Sequence, residues 1–205
     1  MAVSLIRKFG FRCPSVLDMG CADGLTLLEM QHRLQEGKFS GIELSDGLAA
    51  LAQSRGIKIF VADMCDLSNH IQDSTYDVVT AMAVLEHLPF PETAVKEAFR
   101  VLKPGGILIA TCPDPKWESI SKRWGLFRDE THYSHFDKVR FQDVATQCGF
   151  KLAVYARFMS AVLGITPYLK LPLPVEFALI VDRAVHSLRL FDWCFVNQVA
   201  VLRKI

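Results

Sequence analysis

Short apolar runs alternate with helical patterns through the first 111 residues, and this alternation constrains the fold more than any other feature of the sequence. Runs rich in β-branched residues predict strands, and apolar residues recurring every three to four positions between them predict helices. Strands separated by helices need crossover connections, which make the strands parallel and cover both faces of the sheet. The sequence therefore predicts an α/β fold with a Rossmann-like, doubly wound, mostly parallel sheet. The predicted strands are 15–18, 39–43, 58–61, 77–81 and 107–111, and the predicted helices are 25–34, 46–54 and 91–102.

The second half of the chain is less regular. Residues 112–134 are rich in proline, tryptophan and charge, which is typical of an insertion above the sheet. Asp46 and Asp137 each have the position of a helix cap. Further strands are predicted at 152–158 and 195–202, so the chain returns to the sheet at its end.

The stretch 160–192 is apolar and contains several prolines, which favours helical turns. It contributes to a mean hydropathy of +0.23 for the whole chain. We interpret it as a helical cap over a ligand site, a homodimer face, or a surface in peripheral contact with lipid. We expect a single domain over residues 1–205, with 112–136 and 159–194 as lid or cap elements.

Composition excludes two classes of protein. The 205 residues include 23 Lys and Arg against 22 Asp and Glu, a net charge of +1, so no broad nucleic-acid-binding face is expected. With 51% hydrophobic residues, the chain is not of the charged, disordered kind. Its six cysteines are widely spaced, which predicts reduced thiols in a cytoplasmic protein and no zinc site. No uncharged apolar run reaches the roughly 18 residues of a membrane-spanning helix, and no signal peptide is expected.

A glycine turn follows the first predicted strand, in the segment VLDMGCADG at 16–24. Glycine permits a tight turn and lets a ligand approach the backbone, and the helix that follows offers free N–H groups. Ligands of such folds bind at the carboxyl ends of the strands, where the strand order reverses. Taken alone, the turn also resembles a dinucleotide-binding turn, or serves a purely structural purpose.

Acidic residues stand at the ends of the next two strands. Glu43 ends the second strand, where a carboxylate can accept hydrogen bonds from both hydroxyls of a ribose. Asp63 follows the third strand, where a carboxylate can accept one from the exocyclic amine of adenine. Either acid alone is compatible with a solvated loop. The order and spacing of the two, after the glycine turn, favour a site for an adenosine-containing cofactor.

Five segments together resemble the class I S-adenosylmethionine-dependent methyltransferases, in particular the small bacterial type similar to the ubiquinone- and menaquinone-biosynthesis methyltransferases. The resemblance implies a seven-stranded sheet whose last strand is antiparallel, S-adenosylmethionine as cofactor and S-adenosylhomocysteine as product. The segments are VLDMGCADG at 16–24, GIELS at 41–45, VADM at 61–64, YDVVTAMAVLEHLP at 76–89 and RVLKPGGILIATCP at 100–113.

Cofactor-binding positions follow from this resemblance. The first turn would hold the methionine part, the acid after the second strand the ribose, and the acid after the third strand the adenine. The residues so implied are Asp18, Gly20, Cys21, Gly24, Glu43, Leu44, Asp63, Met64, Ala81 and Leu85.

The sequence departs from the family pattern at two positions. Ala22 stands where the turn usually has its middle glycine, and its small side chain still leaves room for the cofactor. Ala83 stands where the ubiquinone O-methyltransferases have a glutamate that, with a Glu-His pair, forms a metal site. Only Glu86 and His87 of that set are present. The sequence therefore predicts no metal.

Methyl transfer to a hydroxyl needs a group that takes the proton, and histidine titrates close to neutral pH. His87 follows the fourth strand, close to where the methyl group would lie. His132 and His135 belong to the segment THYSHF, which resembles an element that covers the site in relatives. We predict these three as catalytic candidates, with backbone bonding and lid fastening as the structural alternatives.

Aromatic and basic side chains in the insertion are candidates for the acceptor pocket. The aromatic ones would line an apolar acceptor and the basic ones would meet an anionic group. The alternatives are packing of the lid and a solvated basic face. The residues concerned are Trp117, Trp124, Phe127, Lys122, Arg123 and Arg128.

The leading hypothesis is transfer of a methyl group to a small-molecule acceptor, at a hydroxyl oxygen of a quinone-like, lipid or glycan substrate. A second hypothesis is a protein that binds the cofactor without catalysis and acts as a partner or scaffold. A third is an NAD-dependent oxidoreductase, but the turn has glycines only at Gly20 and Gly24, and NAD does not account for Asp63.

Overall fold

A computed structural model describes residues 1–123, 132–160, 177, 180, 181, 184 and 195–205, without the side chains of 121, 122 and 160. Seven strands in this part of the chain form one sheet in the order β3-β2-β1-β4-β5-β7-β6. The strands are β1 (Ser15–Met19), β2 (Lys38–Glu43), β3 (Lys58–Val61), β4 (Tyr76–Met82), β5 (Leu102–Pro113), β6 (Phe150–Ser160) and β7 (Phe195–Lys204).

Helices connect the strands in the manner that the alternating pattern predicts. They are α1 (Ala2–Lys8), α2 (Leu25–Leu34), α3 (Asp46–Ser54), α4 (Pro91–Val101), α5 (Pro115–Arg123) and α6 (Lys138–Gln147), with a short 3-10 helix at Leu85–His87. Pro91 begins α4 at a position where a missing N–H costs nothing, and Asp137 caps α6 by accepting a hydrogen bond from Arg140 N at 2.8 Å.

Strands β1 to β5 pair in parallel, and β7 runs antiparallel to both β5 and β6. The predicted fold class is therefore confirmed, including the antiparallel last strand. The carboxyl ends of β1, β2 and β4 meet at one edge of the sheet, and the strand order reverses between β1 and β4. This is the position at which ligands bind in open α/β sheets.

Both faces of the sheet are buried, because neighbouring residues of its central strands enter different cores. Val16 packs into the core under α2, whereas the adjacent Leu17 packs into the core under α4 and α6. On β4, Val78 likewise packs into the first of these cores and Val79 into the second. All four side chains are inaccessible to solvent. Strands of this kind are apolar on both faces, which accounts for much of the positive hydropathy.

Two predicted boundaries were wrong, and one helix was not predicted. Strand β5 begins at Leu102, so the Pro104-Gly105-Gly106 turn lies within it, beside a shift of register against β4. The cap of α3 is Ser45, whose hydroxyl accepts from Leu48 N, and not Asp46. Helix α5 occupies part of the segment that we interpreted as an irregular insertion.

Several predictions concern residues outside the described part of the chain. Trp124, Phe127, Arg128, the side chain of Lys122 and most of the predicted cap at 159–194 belong to this group. Among the described helices, none combines the length and apolar character needed to cross a bilayer.

Candidate active site

The glycine turn packs tightly against the loops that follow β3 and β4. Gly20 has a φ of +76°, a conformation that costs glycine nothing. A side-chain carbon at Gly20 would lie 2.7 Å from Cγ2 of Val84 and 3.1 Å from Cε of Met64. Glycine is therefore required here, because without a side chain it lets the loops after β1, β3 and β4 pack together.

Glu43 fastens the first turn to the end of β2. One carboxylate oxygen accepts from Ala22 N and the other from Ser45 N, both at 2.9 Å. Each oxygen retains a further acceptor position, so the carboxylate can still bind the hydroxyls of a ribose. Ala22 has a φ of +49°, which explains why glycine is usual at this position in the family pattern.

The other predicted adenosine contacts lie beside Glu43 and reach solvent. Leu44 is 69% exposed, and Asp63 is an exposed carboxylate that accepts from Cys65 N at 2.8 Å. Met64 is half-buried against the glycine turn. These side chains surround an open edge of the sheet, which is where the sequence predicts the ribose and adenine.

Four predicted cofactor residues have buried side chains instead: Asp18, Cys21, Ala81 and Leu85. The hydroxyl of Thr80 donates to Asp18 at 2.6 Å, and burial raises the pKa of Asp18 to about 7. Burial, with the nearby charges of Asp18 and Glu43, raises the pKa of the Cys21 thiol to about 12, so it is not a reactive thiolate. These four residues form the floor of the site rather than its surface.

The 3-10 helix after β4 holds the segment that contains His132. The carbonyl oxygen of Glu86 accepts from Tyr133 N at 2.9 Å and from Ser134 N at 3.1 Å. The hydroxyl of Ser134 donates to the carbonyl of Leu88 at 3.1 Å. As a result, the ring of His132 meets the ring of His87 edge-on, with 4.8 Å between centroids and 70° between planes.

Glu118, on α5, connects two of the predicted histidines. Its carboxylate oxygens lie 3.0 Å from Nδ1 of His132 and 3.1 Å from Nδ1 of His135. The side chains of Glu118 and His132 are 4% and 2% exposed, whereas that of His135 is 58% exposed. His132 therefore lies inside the site and His135 at its rim.

A second buried carboxylate, that of Glu86, lies beside the same imidazoles. Burial raises the pKa of Glu86, and the thiol of Cys112 hydrogen-bonds to its carboxylate. The Oε2 atom has no hydrogen-bond partner within the described part of the chain. One donor atom each from Glu86, His87 and His132 lie within 4.8 Å of one another, a set that could hold a metal ion.

Sequence reasoning missed Glu118 because a glutamate in a charged segment has the pattern of a solvated residue. A signal was present one turn earlier. Asp114 and Pro115 form a typical helix start, and Asp114 accepts from Lys116 N at 3.0 Å while pairing with Arg157 at 2.9 Å. The helix that begins there brings Glu118 to the histidines, with Trp117 half-buried beside it and Arg123 exposed.

Residues 17–110 match the protein family described as "Methyltransferase domain". This region, 94 of the 205 residues, is therefore similar to methyltransferase domains. The match runs from the middle of β1 through β5 and so includes the glycine turn, Glu43, Asp63, Glu86 and His87. S-adenosylmethionine is the cofactor that a methyltransferase domain of this fold implies.

The chain is also similar to named proteins. The ubiquinone biosynthesis O-methyltransferase of Pseudomonas savastanoi pv. phaseolicola is 30% identical over 106 residues, which are 49% of this chain and 44% of the relative. That of Xanthomonas oryzae pv. oryzae is 36% identical over 99 residues, 45% of this chain and 40% of the relative. The chain thus aligns with less than half the length of these curated relatives.

Solved structures share the fold at low sequence identity. A SAM-dependent methyltransferase from Methanosarcina mazei superposes with a TM-score of 0.71 at 18% identity, over 98% of this chain and 97% of its own. The [4+2]-cyclase SpnF superposes with a TM-score of 0.65 at 20% identity, over 99% of this chain and 81% of its own. Because SpnF is a cyclase, this similarity demonstrates that the fold alone does not determine the reaction.

The residues present fit S-adenosylmethionine. The turn at Gly20 leaves backbone accessible where a side chain would collide with Val84, and Glu43 and Asp63 present the acceptors that a ribose and an adenine amine need. Ala22 is smaller than any residue other than glycine, so it leaves the turn open.

Proposed function

We propose that this protein transfers a methyl group from S-adenosylmethionine to a hydroxyl oxygen of a small-molecule acceptor. The observation that supports this best is the pair of imidazoles of His87 and His132, with the buried Glu118 3.0 Å from Nδ1 of His132. His87 follows β4, and the loop after β4 packs on the glycine turn through Val84. Groups able to take a proton are thus adjacent to the proposed cofactor site.

Glu43, Asp63 and the Gly20 turn would bind the ribose, adenine and methionine parts of the cofactor. When bound, S-adenosylmethionine supplies a methyl carbon whose bond to sulfur breaks as its bond to the acceptor oxygen forms. The buried floor formed by Asp18, Ala81 and Leu85 excludes water beneath the reacting atoms.

An imidazole of the cluster takes the proton that the acceptor hydroxyl loses. Nδ1 of His132 lies 3.0 Å from Oε1 of Glu118, and the proton that the ring takes would go to its other nitrogen, Nε2. The carboxylate then stabilises the imidazolium that forms, and the proton leaves to solvent when the product departs. His87 lies against this ring and is the second candidate, while the exposed His135 is the third.

The acceptor that we propose is a quinone-like, lipid or glycan hydroxyl. The two named relatives are ubiquinone biosynthesis O-methyltransferases, which supports the quinone-like class first. Trp117, half-buried on α5 beside Glu118, would contact an apolar or aromatic acceptor.

We also propose a cytoplasmic location, because the described cysteines Cys13, Cys21, Cys65, Cys112 and Cys148 are free thiols, as a reducing compartment requires. We further propose that residues 158–194 contact either a second copy of the protein or a membrane surface. Size-exclusion chromatography and flotation with lipid vesicles test these two contacts separately.

The experiment for the proposed activity is turnover of cofactor with a labelled methyl group against a panel of quinols, lipid hydroxyls and glycans. We expect label in one acceptor class and tight binding of S-adenosylhomocysteine. Tight binding with no labelled product from any class would favour the scaffold hypothesis. A preference for NAD over S-adenosylhomocysteine in calorimetry would refute the proposal.

A further inference from the structure

We propose that Glu86, His87 and His132 bind a divalent transition-metal ion such as Zn²⁺. The sequence predicted no metal because Ala83 replaces a glutamate of the ubiquinone O-methyltransferase pattern. The fold brings His132, 45 positions after His87, to the same place from a different segment, and so builds a different set of ligands. A role for this ion in catalysis rests on the function proposed above, but its binding does not.

The donor set suits such an ion. Two imidazoles and one carboxylate are the ligands of many three-ligand zinc and iron sites, which keep one or more positions open for substrate. Bond lengths of about 2.1 Å place ligand atoms roughly 3.4 Å apart in a tetrahedral site. The three donor atoms already lie within 4.8 Å of one another, so binding requires them to approach by about 1.5 Å at most.

Glu118 gives His132 the orientation that a metal ligand needs. Histidines that bind metals commonly donate their other N–H to a carboxylate, which fixes the tautomer and makes the coordinating nitrogen more basic. Glu118 lies 3.0 Å from Nδ1 of His132, and both side chains are almost completely buried. The carboxylate of Glu118 is therefore placed to orient the ring for coordination.

The carboxylate of Glu86 supplies an independent observation. Its side chain is 2% exposed, and no group in the described residues donates a hydrogen bond to Oε2. A buried carboxylate oxygen without a partner is costly, and a cation coordinated to it removes that cost. The unpartnered oxygen belongs to the same residue whose carboxylate lies beside His87 and His132.

A bound ion would alter the chemistry of the acceptor. A hydroxyl coordinated to a divalent cation loses its proton more readily, because the cation stabilises the oxyanion. His87 and His132 would then serve as ligands rather than as the group that takes the proton. This arrangement would therefore select acceptors that have an oxygen able to coordinate the ion.

The test uses the full chain, freed of metal with a chelator, and titrates it with Zn²⁺ in calorimetry without cofactor. We expect one saturable site. H87A and H132A should lose more affinity than E118Q, whose expected loss is about 10- to 100-fold, in the range found for residues that orient a ligand. H70A is the control, because His70 is exposed and lies outside the three donors, and its Zn²⁺ affinity should be unchanged.

Cobalt substitution identifies the ligands. We expect the visible spectrum of Co²⁺ bound to nitrogen and oxygen donors; a thiolate charge-transfer band would assign the ion to cysteines and overturn the proposal. So would the absence of saturable binding, or binding that persists in H87A and H132A. Thermal unfolding of the metal-free variants checks that each folds, and His132→Asn replaces H132A if that variant does not.

The two proposals fail in distinguishable ways. If S-adenosylhomocysteine binds and a methyl group is transferred in the chelated protein, with no Zn²⁺ site, the metal inference is wrong and the proposed function stands. If Zn²⁺ binds through His87 and His132 but S-adenosylhomocysteine does not bind, the metal site stands and the proposed function is wrong.

Discussion

Oε1 of Glu118 lies 3.0 Å from Nδ1 of His132, and each side chain is less than 5% exposed. The two residues come from different elements, because Glu118 lies on α5 and His132 on the segment held by the carbonyl of Glu86. The contact places a carboxylate against one nitrogen of an imidazole whose ring meets that of His87 edge-on. A charge brought to this ring, by proton transfer or by metal binding, therefore has a buried carboxylate beside it.

H132A should reduce turnover more than any other single histidine substitution. Removal of a positioned group that transfers a proton costs about 10²- to 10⁴-fold in rate. We expect H135A to reduce turnover as well, but less, since its imidazole is 58% exposed and lies on the far oxygen of Glu118. Steady-state rates with labelled cofactor measure both effects.

The control for these variants is His70→Ala, which removes an exposed histidine distant from the candidate site in the sequence. S-adenosylhomocysteine affinity should be the same in all three variants. If H132A turns over as fast as H70A, His132 has no part in the reaction.

Glu43→Ala should weaken S-adenosylhomocysteine binding by about 1–3 kcal/mol, the range for hydrogen bonds to a charged group. The variant loses the proposed ribose contact and also the two bonds that hold Ala22 and Ser45 in place. Calorimetry measures the affinity, with the exposed Glu36→Ala as the control. Equal affinities in the two variants would contradict the assignment of the ribose position.

Asp18→Asn should change how the free energy of unfolding depends on pH. Burial raises the pKa of Asp18 from an ordinary value near 3.8 to about 7, so between these values the folded protein retains a proton that the unfolded chain releases. The contribution of Asp18 to the free energy of unfolding therefore falls as pH rises from about 4 to about 7, by at most about 4 kcal/mol. Asparagine accepts the Thr80 hydrogen bond without this loss.

Urea unfolding at several pH values from 5 to 8 tests this prediction. The stability of D18N relative to the original chain should increase with pH and then level off above pH 7. Parallel stability curves for the two proteins would show that Asp18 is not the group responsible.

Gln198→Leu should destabilise the fold by at least about 3 kcal/mol, because it leaves several buried polar groups without partners. The amide of Gln198 donates to the carbonyls of Pro113, at 2.9 Å, and Phe136, and accepts from the hydroxyl of Tyr155 at 2.7 Å. Tyr155→Phe removes only the last of these bonds and should cost about 1–2 kcal/mol. Chemical denaturation measures both; a smaller loss in Q198L than in Y155F would contradict this network.

The sequence predicted the parallel half of the fold well because local signals and long-range packing agree there. Val16 and Leu17 are apolar on both sides of β1, and the glycine turn that follows can adopt only a few conformations. Helix α5 was missed because its composition is polar and its start signal, Asp114-Pro115, is short.

The candidate site was predictable only in part, because local sequence patterns reveal some of its residues and not others. Glu43 and Asp63 follow strands, so their position could be read from the chain order. Glu118 and Gln198 gain their importance from burial and from partners far away in the sequence, and neither property leaves a local pattern. The same holds for the pairing of His87 with His132, whose proximity comes from backbone bonds to Glu86.

Strands β6 and β7 pair through their last and first residues, Ser160 with Phe195, at the edge of the sheet where β5 ends. The chain therefore leaves β6 and enters β7 at adjacent points of the sheet edge. Because loop-closure entropy grows only slowly, about 0.6 kcal/mol per doubling of length, the number of residues between the two strands has little effect on the entropy of closing this connection.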